Sequence, residues 1–306
     1  MIRVHATSAF AGDCELRRFK VPPSLWLFTR LFMGLTRPKR VTILGQELAG
    51  VVEAVGKDVS RFKTGDEVFG LTGMRFGTYA EFVCVPEDAL MVEKTGHLTF
   101  EEAAVLSVGG LEALHFIKKA GIQKGKSVLI NGAGGSIGTM ALQMAKNAGA
   151  EVTCVDSHLK MDMLNDLGAD QVLDYVKDDI TASKERFDVV LDLVGKTSVP
   201  VLLRLLKDGG ILILGNSGPF VPKLYGLWAA LFGKKVVSNE SSGTVEELVL
   251  LRDLVISGEV RSVIDRSFPL ERTADAHRYI EQGLKKGNAV IMVVDGKNGQ
   301  QNPARL

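Results

Sequence analysis

A glycine-rich turn between two strand-like runs constrains the fold more than any other feature of the chain. Residues 127–156 read "SVLINGAGGSIGTMALQMAKNAGAEVTCVD". An apolar run leads into Gly132, Gly135 and Gly138, an amphipathic helix follows, and a second apolar run ends at Asp156. Glycines alone are weak evidence, since many turns need them for backbone reasons only. The whole order, with its terminal carboxylate, predicts a dinucleotide site in which the glycines admit the pyrophosphate and the helix N-terminus meets its charge.

The end of the second run bears on which dinucleotide would bind. Asp156 is placed to accept hydrogen bonds from an adenosine ribose and would repel a 2′-phosphate, which favours NAD(H). Ser157 and Lys160 follow at once, and their hydroxyl and ammonium groups would instead hold that phosphate, which favours NADP(H). Both also have plain structural interpretations, Ser157 as a helix N-cap and Lys160 as a solvated helix residue. These residues alone leave the preference open.

The pattern of apolar runs and turns changes along the chain. Up to about Pro86, short β-like runs such as "AGVVEAV" and "TYAEFVCV" alternate with glycine-bearing turns, which predicts a compact, mainly β unit. From "LTFEEAAVL" onward, amphipathic segments alternate with apolar runs such as "DVVLDLVG" and "GGILILG", which indicates βαβ units around a buried parallel sheet. The tail contains a strand, a helix and a last strand that would rejoin the first unit. We therefore expect an α/β fold with domains at 1–96, 97–260 and 261–306, the last returning to the first.

Composition excludes several classes of protein. The 37 basic and 36 acidic residues give a net charge of +1, so no overall field draws the chain to nucleic acid or to an anionic membrane. The N-terminus has no signal-peptide core, and no apolar run approaches the roughly 18 residues that span a bilayer. Cys14, Cys84 and Cys154 fit neither a CxxC metal site nor a disulfide framework. We expect a soluble cytoplasmic protein with reduced structural thiols.

Two aromatic segments, 22–35 and 219–233, contain both tryptophans, Trp26 and Trp228. Such a segment is more often a core helix or a subunit contact than a chemical feature. The sharper alternative is that the two segments wall an apolar substrate cleft between the domains. Docking on a membrane surface is disfavoured here, because neither segment has a broad basic face.

Longer motifs carry a family resemblance over most of the chain. They include "LGQELAGVVEAVGKDVSRFKTGDEVFG", "GTYAEFVCVPEDAL", "LTFEEAAVLSVGGLEAL", "VLINGAGGSIGTMALQMAKNAGAEVT" and "VIDRSFPLERTADAHRYIEQGLKKGN". In this order they resemble the medium-chain dehydrogenase/reductase superfamily, in its zinc-free quinone-oxidoreductase branch and the group similar to reticulon-4-interacting protein. The resemblance implies a GroES-like catalytic domain made from both chain ends, a Rossmann doubly wound sheet between them, an active site in the cleft and a homodimer.

The same resemblance argues against a metal. Zinc-dependent relatives have Gly-His-Glu where this chain has Gly45, Gln46 and Glu47, and their cysteine ligands fall on Phe10 and about Val108. A catalytic zinc needs about three protein ligands. The five histidines form no spacing that would replace the missing ones. We expect no metal, and we interpret Glu47 as a structural or cleft-organising carboxylate.

The resemblance also carries over a cofactor site. In the family, the glycine turn binds the pyrophosphate. The family's pattern of Ser or Thr, then Lys, then Tyr corresponds to Ser157, Lys160 and Tyr175 here, which favours NADP(H) slightly over NAD(H). "DLVG" (192–195) and "GNSG" (215–218) end apolar strands, where the nicotinamide half would lie, although both are also plain strand-ending turns. The predicted cofactor residues are Asn131, Gly132, Gly134, Gly135, Ser136, Ile137, Gly138, Asp156, Ser157, Lys160, Tyr175, Val194, Gly195, Gly215, Asn216 and Ser217.

Three departures from the family pattern concern activity. Relatives begin roughly a hairpin earlier and have Asn where "SAFAGD" has Phe10, so a group that would orient the substrate carbonyl or the nicotinamide ribose is replaced by a phenyl ring. Glu112 stands where relatives have threonine. Phe10 thus marks a cleft position, and Tyr79 of "GTYAEF" is a second catalytic candidate, for shaping the cleft or donating a proton, although a strand tyrosine more often packs.

The residues and the resemblance together lead to three alternative functions. The first is an NAD(P)H-dependent reductase that delivers a hydride to a small apolar quinone or to the β-carbon of an enone, with the oxyanion stabilised by dipoles rather than zinc and the proton supplied by water. The second is a nucleotide-binding regulatory or interaction protein with little turnover, which Phe10 and the short N-terminus suggest. The third, a zinc alcohol dehydrogenase, requires a metal that the ligand pattern does not support.

Overall fold

The computed structural model of the chain describes residues 1–20, 23–34, 39–217, 220–238 and 243–294. Contacts between residues divide the chain into two compact units. The first contains Met1–Ser107, Leu248–Arg252 and the chain from Ile264 onward, and the second contains Val108–Glu247 and Asp253–Val263. The beginning and the end of the chain therefore lie in one unit, and the middle forms the other.

The strands are β1 Ile2–Ala9, β2 Glu47–Val52, β3 Glu67–Leu71, β4 Phe82–Val83, β5 Met91–Glu93, β6 Ser127–Asn131, β7 Glu151–Asp156, β8 Gln171–Asp174, β9 Phe187–Asp192, β10 Leu206–Leu214, β11 Lys235–Ser238, β12 Ile264–Pro269 and β13 Asn288–Met292. The α-helices are α1 Ala11–Arg17, α2 Pro23–Met33, α3 Phe100–Ala104, α4 Ser107–Ala120, α5 Ser136–Asn147, α6 Met161–Asp166, α7 Val199–Arg204, α8 Phe220–Ala230, α9 Val245–Ile256 and α10 Thr273–Glu281.

The first unit is built on a largely antiparallel sheet. Its described strands are ordered β12-β13-β1-β2-β3-β5, with β4 paired to β1. β1 is antiparallel to β13 on one side and to β2 on the other. Gly50 of β2 runs so close to β1 that a Cβ there would lie 2.2 Å from the carbonyl oxygen of Arg3. One buried apolar cluster of this sheet contains Ile2, Val4, Leu48, Val52, Val68 and Met91. The predicted mainly β unit is confirmed.

The second unit is built on a parallel sheet whose described strands are ordered β11-β10-β9-β6-β7-β8. Every neighbouring pair in it is parallel. Because the chain goes outward from β6 to β8 and then returns to place β9 on the other side of β6, the order reverses between β6 and β9, as in a Rossmann fold. The apolar runs that predicted this sheet are buried, with Leu129, Ile130 and Leu212 fully enclosed. The predicted α/β class is confirmed.

The two aromatic segments form helices, α2 and α8, within the residues that the structure describes. Several of their large apolar side chains lie at the surface: Leu31 is 62% exposed on α2 and Leu227 is 79% exposed on α8. Of the two plain interpretations, a core helix does not suit these outer faces, whereas a subunit contact stays a prediction. Among the described residues, no helix is long and apolar enough to cross a membrane.

Candidate dinucleotide site

The turn after β6 has a shape that glycine alone permits at two places. Gly132 has a φ of +88°, and a Cβ there would lie 2.8 Å from Cγ2 of Val194. At Gly138 a Cβ would lie 2.5 Å from the carbonyl oxygen of Ala133, inside the first turn of α5. The backbone N–H groups of Gly132 and Ala133 both donate to the carbonyl oxygen of Val155, at 2.9 and 3.3 Å. The turn is thus held against the end of β7, and α5 packs closely on it.

Gly135 differs from these two glycines because space lies beside it. Its φ is −92°, and a Cβ there would have only the carbonyl oxygen of Gly132 within 4 Å, at 3.7 Å. It is the N-cap of α5 and makes no side-chain capping hydrogen bond, and the N–H groups of the first turn of α5 point toward this end of the helix. A helix N-terminus beside open space and without a covering side chain fits a pyrophosphate.

A buried ion pair closes the other end of the turn. Asp156, at the end of β7, accepts hydrogen bonds from the N–H of Gly134 through Oδ2 and from the N–H of Ser157 through Oδ1, each at 2.8 Å. The ammonium of Lys160 lies 3.0 Å from Oδ1, and both side chains are about nine-tenths buried. The stem of Lys160 crosses Gly134, where a Cβ would lie 2.3 Å from its Cδ. The Asp156 carboxylate therefore holds the turn in place, and its charge is paired with that of Lys160.

The other members of the predicted ribose corner lie beside this pair. Ser157 occupies an N-cap position, but its hydroxyl makes no capping hydrogen bond, so the N-cap interpretation does not account for it. The N–H of Tyr175 donates to the carbonyl oxygen of Asp156 at 3.2 Å, and the tyrosine side chain is 62% exposed. Asp156, Ser157, Lys160 and Tyr175 are thus together at the carboxyl ends of β7 and β8.

A second carboxylate organises the point where the strand order reverses. Asp192, at the end of β9, accepts a hydrogen bond from Nδ2 of Asn131, which ends the neighbouring strand β6, at 2.8 Å. Its carboxylate also accepts from the N–H groups of Val194 at 3.4 Å and Gly195 at 3.2 Å. Its carbonyl oxygen accepts from the N–H of Gly215 at 2.9 Å. Burial raises the pKa of the Asp192 carboxyl above its usual range. The sequence analysis included Asp192 only within the turn 192–195 and not among the predicted cofactor residues, although it ends an apolar strand just as Asp156 does.

The two strand-ending turns lie against each other at this edge. Gly195 has a φ of +70°, and a Cβ there would lie 2.7 Å from the carbonyl oxygen of Asn216. A Cβ on Gly215 would lie 2.6 Å from Cδ2 of Leu193. The hydroxyl of Ser217 is buried and has no hydrogen-bond partner among the described residues. Gly218, the last residue of "GNSG", lies outside the described residues. An unpartnered hydroxyl at a strand carboxyl end suits a bound polar group.

The two catalytic candidates lie in the first unit. The hydroxyl of Tyr79 donates to Oδ2 of Asp13 at 2.7 Å. The carboxyl of Asp13 is fully buried, and it also accepts a hydrogen bond from the N–H of Gly45 at 3.3 Å. Burial raises the pKa of Asp13 to about 6 and raises the pKa of Tyr79 well above its usual range. The hydroxyl proton of Tyr79 thus stays in the hydrogen bond to Asp13. The sequence analysis did not select Asp13.

Phe10 lies over the first turn of α1. A Cβ on Gly12 would lie 2.6 Å from Cε2 of the Phe10 ring. The ring is half-buried, so it covers the position where relatives would have a short amide side chain. It is the N-cap residue of α1, and its side chain offers no hydrogen bond.

The position that corresponds to a zinc site in some relatives has a different chemistry here. The carboxylate of Glu47 is buried and accepts a hydrogen bond from the hydroxyl of Ser8. The backbone oxygen of Glu47 accepts from the hydroxyl of Thr7 at 2.6 Å. No group of three or more His, Cys, Asp or Glu side chains suited to a metal occurs among the described residues. This donor set does not fit a catalytic zinc, which needs about three nitrogen, sulfur or oxygen ligands.

Comparisons with known proteins agree with the fold of the two units. The family model described as "Alcohol dehydrogenase GroES-like domain" matches residues 1–95, and the one described as "Zinc-binding dehydrogenase" matches residues 167–291. The human mitochondrial NAD(P)H oxidoreductase RTN4IP1 is 32% identical over 96% of this chain and 81% of its own length. The 2-methylene-furan-3-one reductase of Solanum lycopersicum is 34% identical over 82% of this chain, which spans 63% of that relative. The solved quinone oxidoreductase of Coxiella burnetii superposes with a TM-score of 0.84 at 29% identity, covering 96% of this chain and 90% of that one.

Proposed function

Because the chain belongs to the medium-chain dehydrogenase/reductase family of oxidoreductases, we propose that it reduces a quinone or an α,β-unsaturated carbonyl with NAD(P)H and without zinc. The observation that carries the proposal is the glycine turn of the second unit, with open space at Gly135, the N-terminus of α5 beside it and the paired Asp156 and Lys160 at its end. The quinone and enone reductases among the relatives supply the substrate class.

Each part of a nicotinamide dinucleotide has residues to hold it. The first N–H groups of α5, at Ser136, Ile137 and Gly138, would bind the pyrophosphate. Ser157, Lys160 and Tyr175 would hold the adenosine end, and the turns at Val194–Gly195 and Gly215–Ser217, braced by Asn131, would hold the nicotinamide end. When bound, the reduced nicotinamide supplies a hydride to the substrate.

The residues of the first unit contribute position rather than proton transfer in this proposal. Tyr79 is hydrogen-bonded to Asp13 and keeps its proton because its pKa is raised, so it shapes the site. Water supplies the proton to the reduced substrate, and dipoles stabilise the developing oxyanion. Phe10 adds an apolar surface, which suits a small apolar quinone or enone. We further propose a homodimer, as the family resemblance implies.

NADP(H) is slightly favoured in this proposal because Lys160 pairs with Asp156. The pair cancels the charge with which Asp156 would repel a 2′-phosphate, and the ammonium adds a donor beside Ser157. We expect Lys160→Ala to raise the Kd for NADPH roughly tenfold more than the Kd for NADH, the size of one lost charge-assisted hydrogen bond. Lys119→Ala, at an exposed position on α4, is the matched control and should change neither.

The test follows absorbance of the reduced nicotinamide with purified protein, an ortho-quinone and an enone, offering NADPH and NADH separately. Cofactor binding is recorded by fluorescence in the same samples. Turnover with NADPH preferred is the expected result, and a preference for NADH would reverse the cofactor assignment. Binding without turnover across several quinones and enones would instead support the alternative, a nucleotide-binding regulatory protein, and would direct attention to Phe10.

A further inference from the structure

Two strands of the parallel sheet end in a buried aspartate, and the two carboxylates differ in how their charge is compensated. Asp156 ends β7 and Asp192 ends β9, and these strands lie on either side of β6. Asp156 is paired with the ammonium of Lys160 at 3.0 Å. Asp192 is 1% exposed and forms no ion pair with a Lys, Arg or His side chain among the described residues. The negative charge is therefore neutralised at β7 and not at β9.

The groups that hold the Asp192 carboxylate are all neutral. They are the side-chain amide of Asn131 at 2.8 Å and the N–H groups of Val194 and Gly195 at 3.4 and 3.2 Å. Lys196, the nearest cation along the chain, has an exposed side chain. These hydrogen bonds satisfy the lone pairs of the carboxylate but leave its charge in place. Burying a charge costs free energy, part of which a cation bound nearby would recover.

The Asp192 carboxylate is fixed among the turns assigned above to the nicotinamide end. Val194 and Gly195, whose N–H groups donate to it, form the first of these turns. Gly195 lies against the second turn, since a Cβ there would be 2.7 Å from the carbonyl oxygen of Asn216. A side chain held by several donors keeps one position. The unpaired charge therefore has a fixed place at the nicotinamide end of the site.

The two ends of a nicotinamide dinucleotide match this difference between the carboxylates. The adenosine end bears no positive charge, and in NADP(H) it bears a 2′-phosphate, so an unpaired carboxylate there would repel it. The nicotinamide ring is neutral when reduced and carries one positive charge when oxidised, because removal of a hydride takes one proton and two electrons. An unpaired carboxylate at that end attracts the oxidised ring and has no such attraction for the reduced ring.

We propose that Asp192 determines which oxidation state of the cofactor binds more tightly, by attracting the oxidised nicotinamide through its unpaired carboxylate. The inference rests on the function proposed above, from which it takes the cofactor and its orientation. The expected preference is roughly tenfold, the size of one charge interaction inside a protein at a separation of about 10 Å. A tenfold preference lowers the two-electron potential of the bound couple by about 30 mV. Asp192 thus makes the bound reduced cofactor a stronger hydride donor without taking part in bond making.

The test compares the Kd values of NADP⁺ and NADPH, and of NAD⁺ and NADH, by titration calorimetry of the full chain without substrate. The decisive variant is Asp192→Asn, which removes the charge and keeps the shape. Its amide oxygen still accepts from the N–H groups of Val194 and Gly195, and the Asn131 amide can turn to accept from the new amide. We expect the Kd of the oxidised form to rise roughly tenfold and that of the reduced form to change by less than about twofold.

Asp188→Asn is the matched control, because it removes a carboxylate from the opposite end of β9, where Lys126 and Lys207 pair with it at 3.3 and 2.9 Å. It should leave the ratio of the two Kd values unchanged. Asn131→Asp combined with Asp192→Asn moves the charge to the neighbouring strand end and should restore most of the preference. Circular dichroism checks that each variant is folded.

Two outcomes overturn the inference while the proposed function stands. The first is an equal change, or no change, in the Kd values of the oxidised and reduced forms on Asp192→Asn, which would limit Asp192 to a structural role. The second is a lost preference that the folded double variant does not restore, which would attribute the loss to altered geometry rather than charge. Failure of the unaltered protein to bind either form would instead overturn the proposed function, and this inference with it.

Discussion

At the scale of single residues, buried carboxylates fix the local geometry of each unit. Asp13 receives hydrogen bonds from Tyr79 and Gly45, and Asp192 receives them from Asn131, Val194 and Gly195. A buried acceptor with several donors specifies one arrangement of the turns around it, because each unpaired donor would otherwise lose free energy. These two residues therefore position the turns around them and are assigned no part in bond making.

Asp13 should give the fold a measurable pH dependence. Burial raises its pKa to about 6, from 3.8 in an unstructured chain. Because the folded protein then binds this proton more tightly, the group makes the free energy of unfolding fall as pH rises from about 4 to about 6, by up to roughly 1.4 kcal/mol per pH unit. Asp13→Asn should remove that slope. Urea unfolding at several pH values measures it, and an unchanged slope in the variant would contradict the assignment.

The sequence reveals some of these residues and hides others for a physical reason. Asp156 and Lys160 were predictable because a glycine turn and a strand precede them at fixed spacing. Asp13 was not, since its role depends on Tyr79 and Gly45, which are distant in sequence and brought near it only by the fold. Asp192 offered the signal of a carboxylate that ends an apolar strand, and only the strand order shows that Asn131 is its neighbour.

At the scale of elements, the glycine turn makes a prediction that separates folding from binding. Gly138→Ala places a Cβ against the backbone of Ala133 and should destabilise the second unit by roughly 1 to 3 kcal/mol. Gly135→Ala meets nothing closer than 3.7 Å, so stability should change by about 1 kcal/mol or less, while the methyl group enters the space assigned to the pyrophosphate. Thermal unfolding and cofactor fluorescence distinguish the two, and normal cofactor binding by Gly135→Ala would place the pyrophosphate elsewhere.

The start of α9 offers a second prediction at this scale. Thr244 and Glu247 form a reciprocal capping box, and Glu247 also pairs with Lys118 of α4 at 2.8 Å. Thr244→Ala should therefore lower the free energy of unfolding by about 1 kcal/mol. Ser198 is the matched control, because it is the N-cap of α7 but its side chain makes no capping hydrogen bond. Equal effects of Thr244→Ala and Ser198→Ala in urea unfolding would show that the box contributes nothing.

Elements differ in how far sequence determines them. The strands of the second unit were predictable because long apolar runs between helical segments are buried on both faces in a parallel sheet. The environments of α2 and α8 were not, since the same aromatic composition suits a core, a subunit contact, a cleft wall or a membrane surface. The exposed leucines decide against the core, and composition contains no information about which side of an apolar helix is covered.

At the scale of the whole molecule, we predict that the protein requires no zinc for activity or stability. Glu47 is bonded to Ser8, and the residue before it is a glutamine, so we expect dialysis against a strong chelator to change neither reductase activity nor Tm. Structural or catalytic zinc would make both depend on the metal. Activity that is lost on dialysis and restored by added zinc would contradict this prediction and the proposed zinc-free mechanism.

The placement of β1 between β2 and β13 has a consequence for how the protein is made. β1 is synthesised long before β13, so it acquires β2 as a neighbour early and β13 only when residues 288–292 have been made. Until then one edge of β1 presents unpaired backbone groups, which attract other strands. We expect nascent chains stalled before Asn288 to be held by chaperones that shield extended segments, and release of β13 to end that contact. The rate at which the middle of the chain is translated therefore sets how long this edge is open.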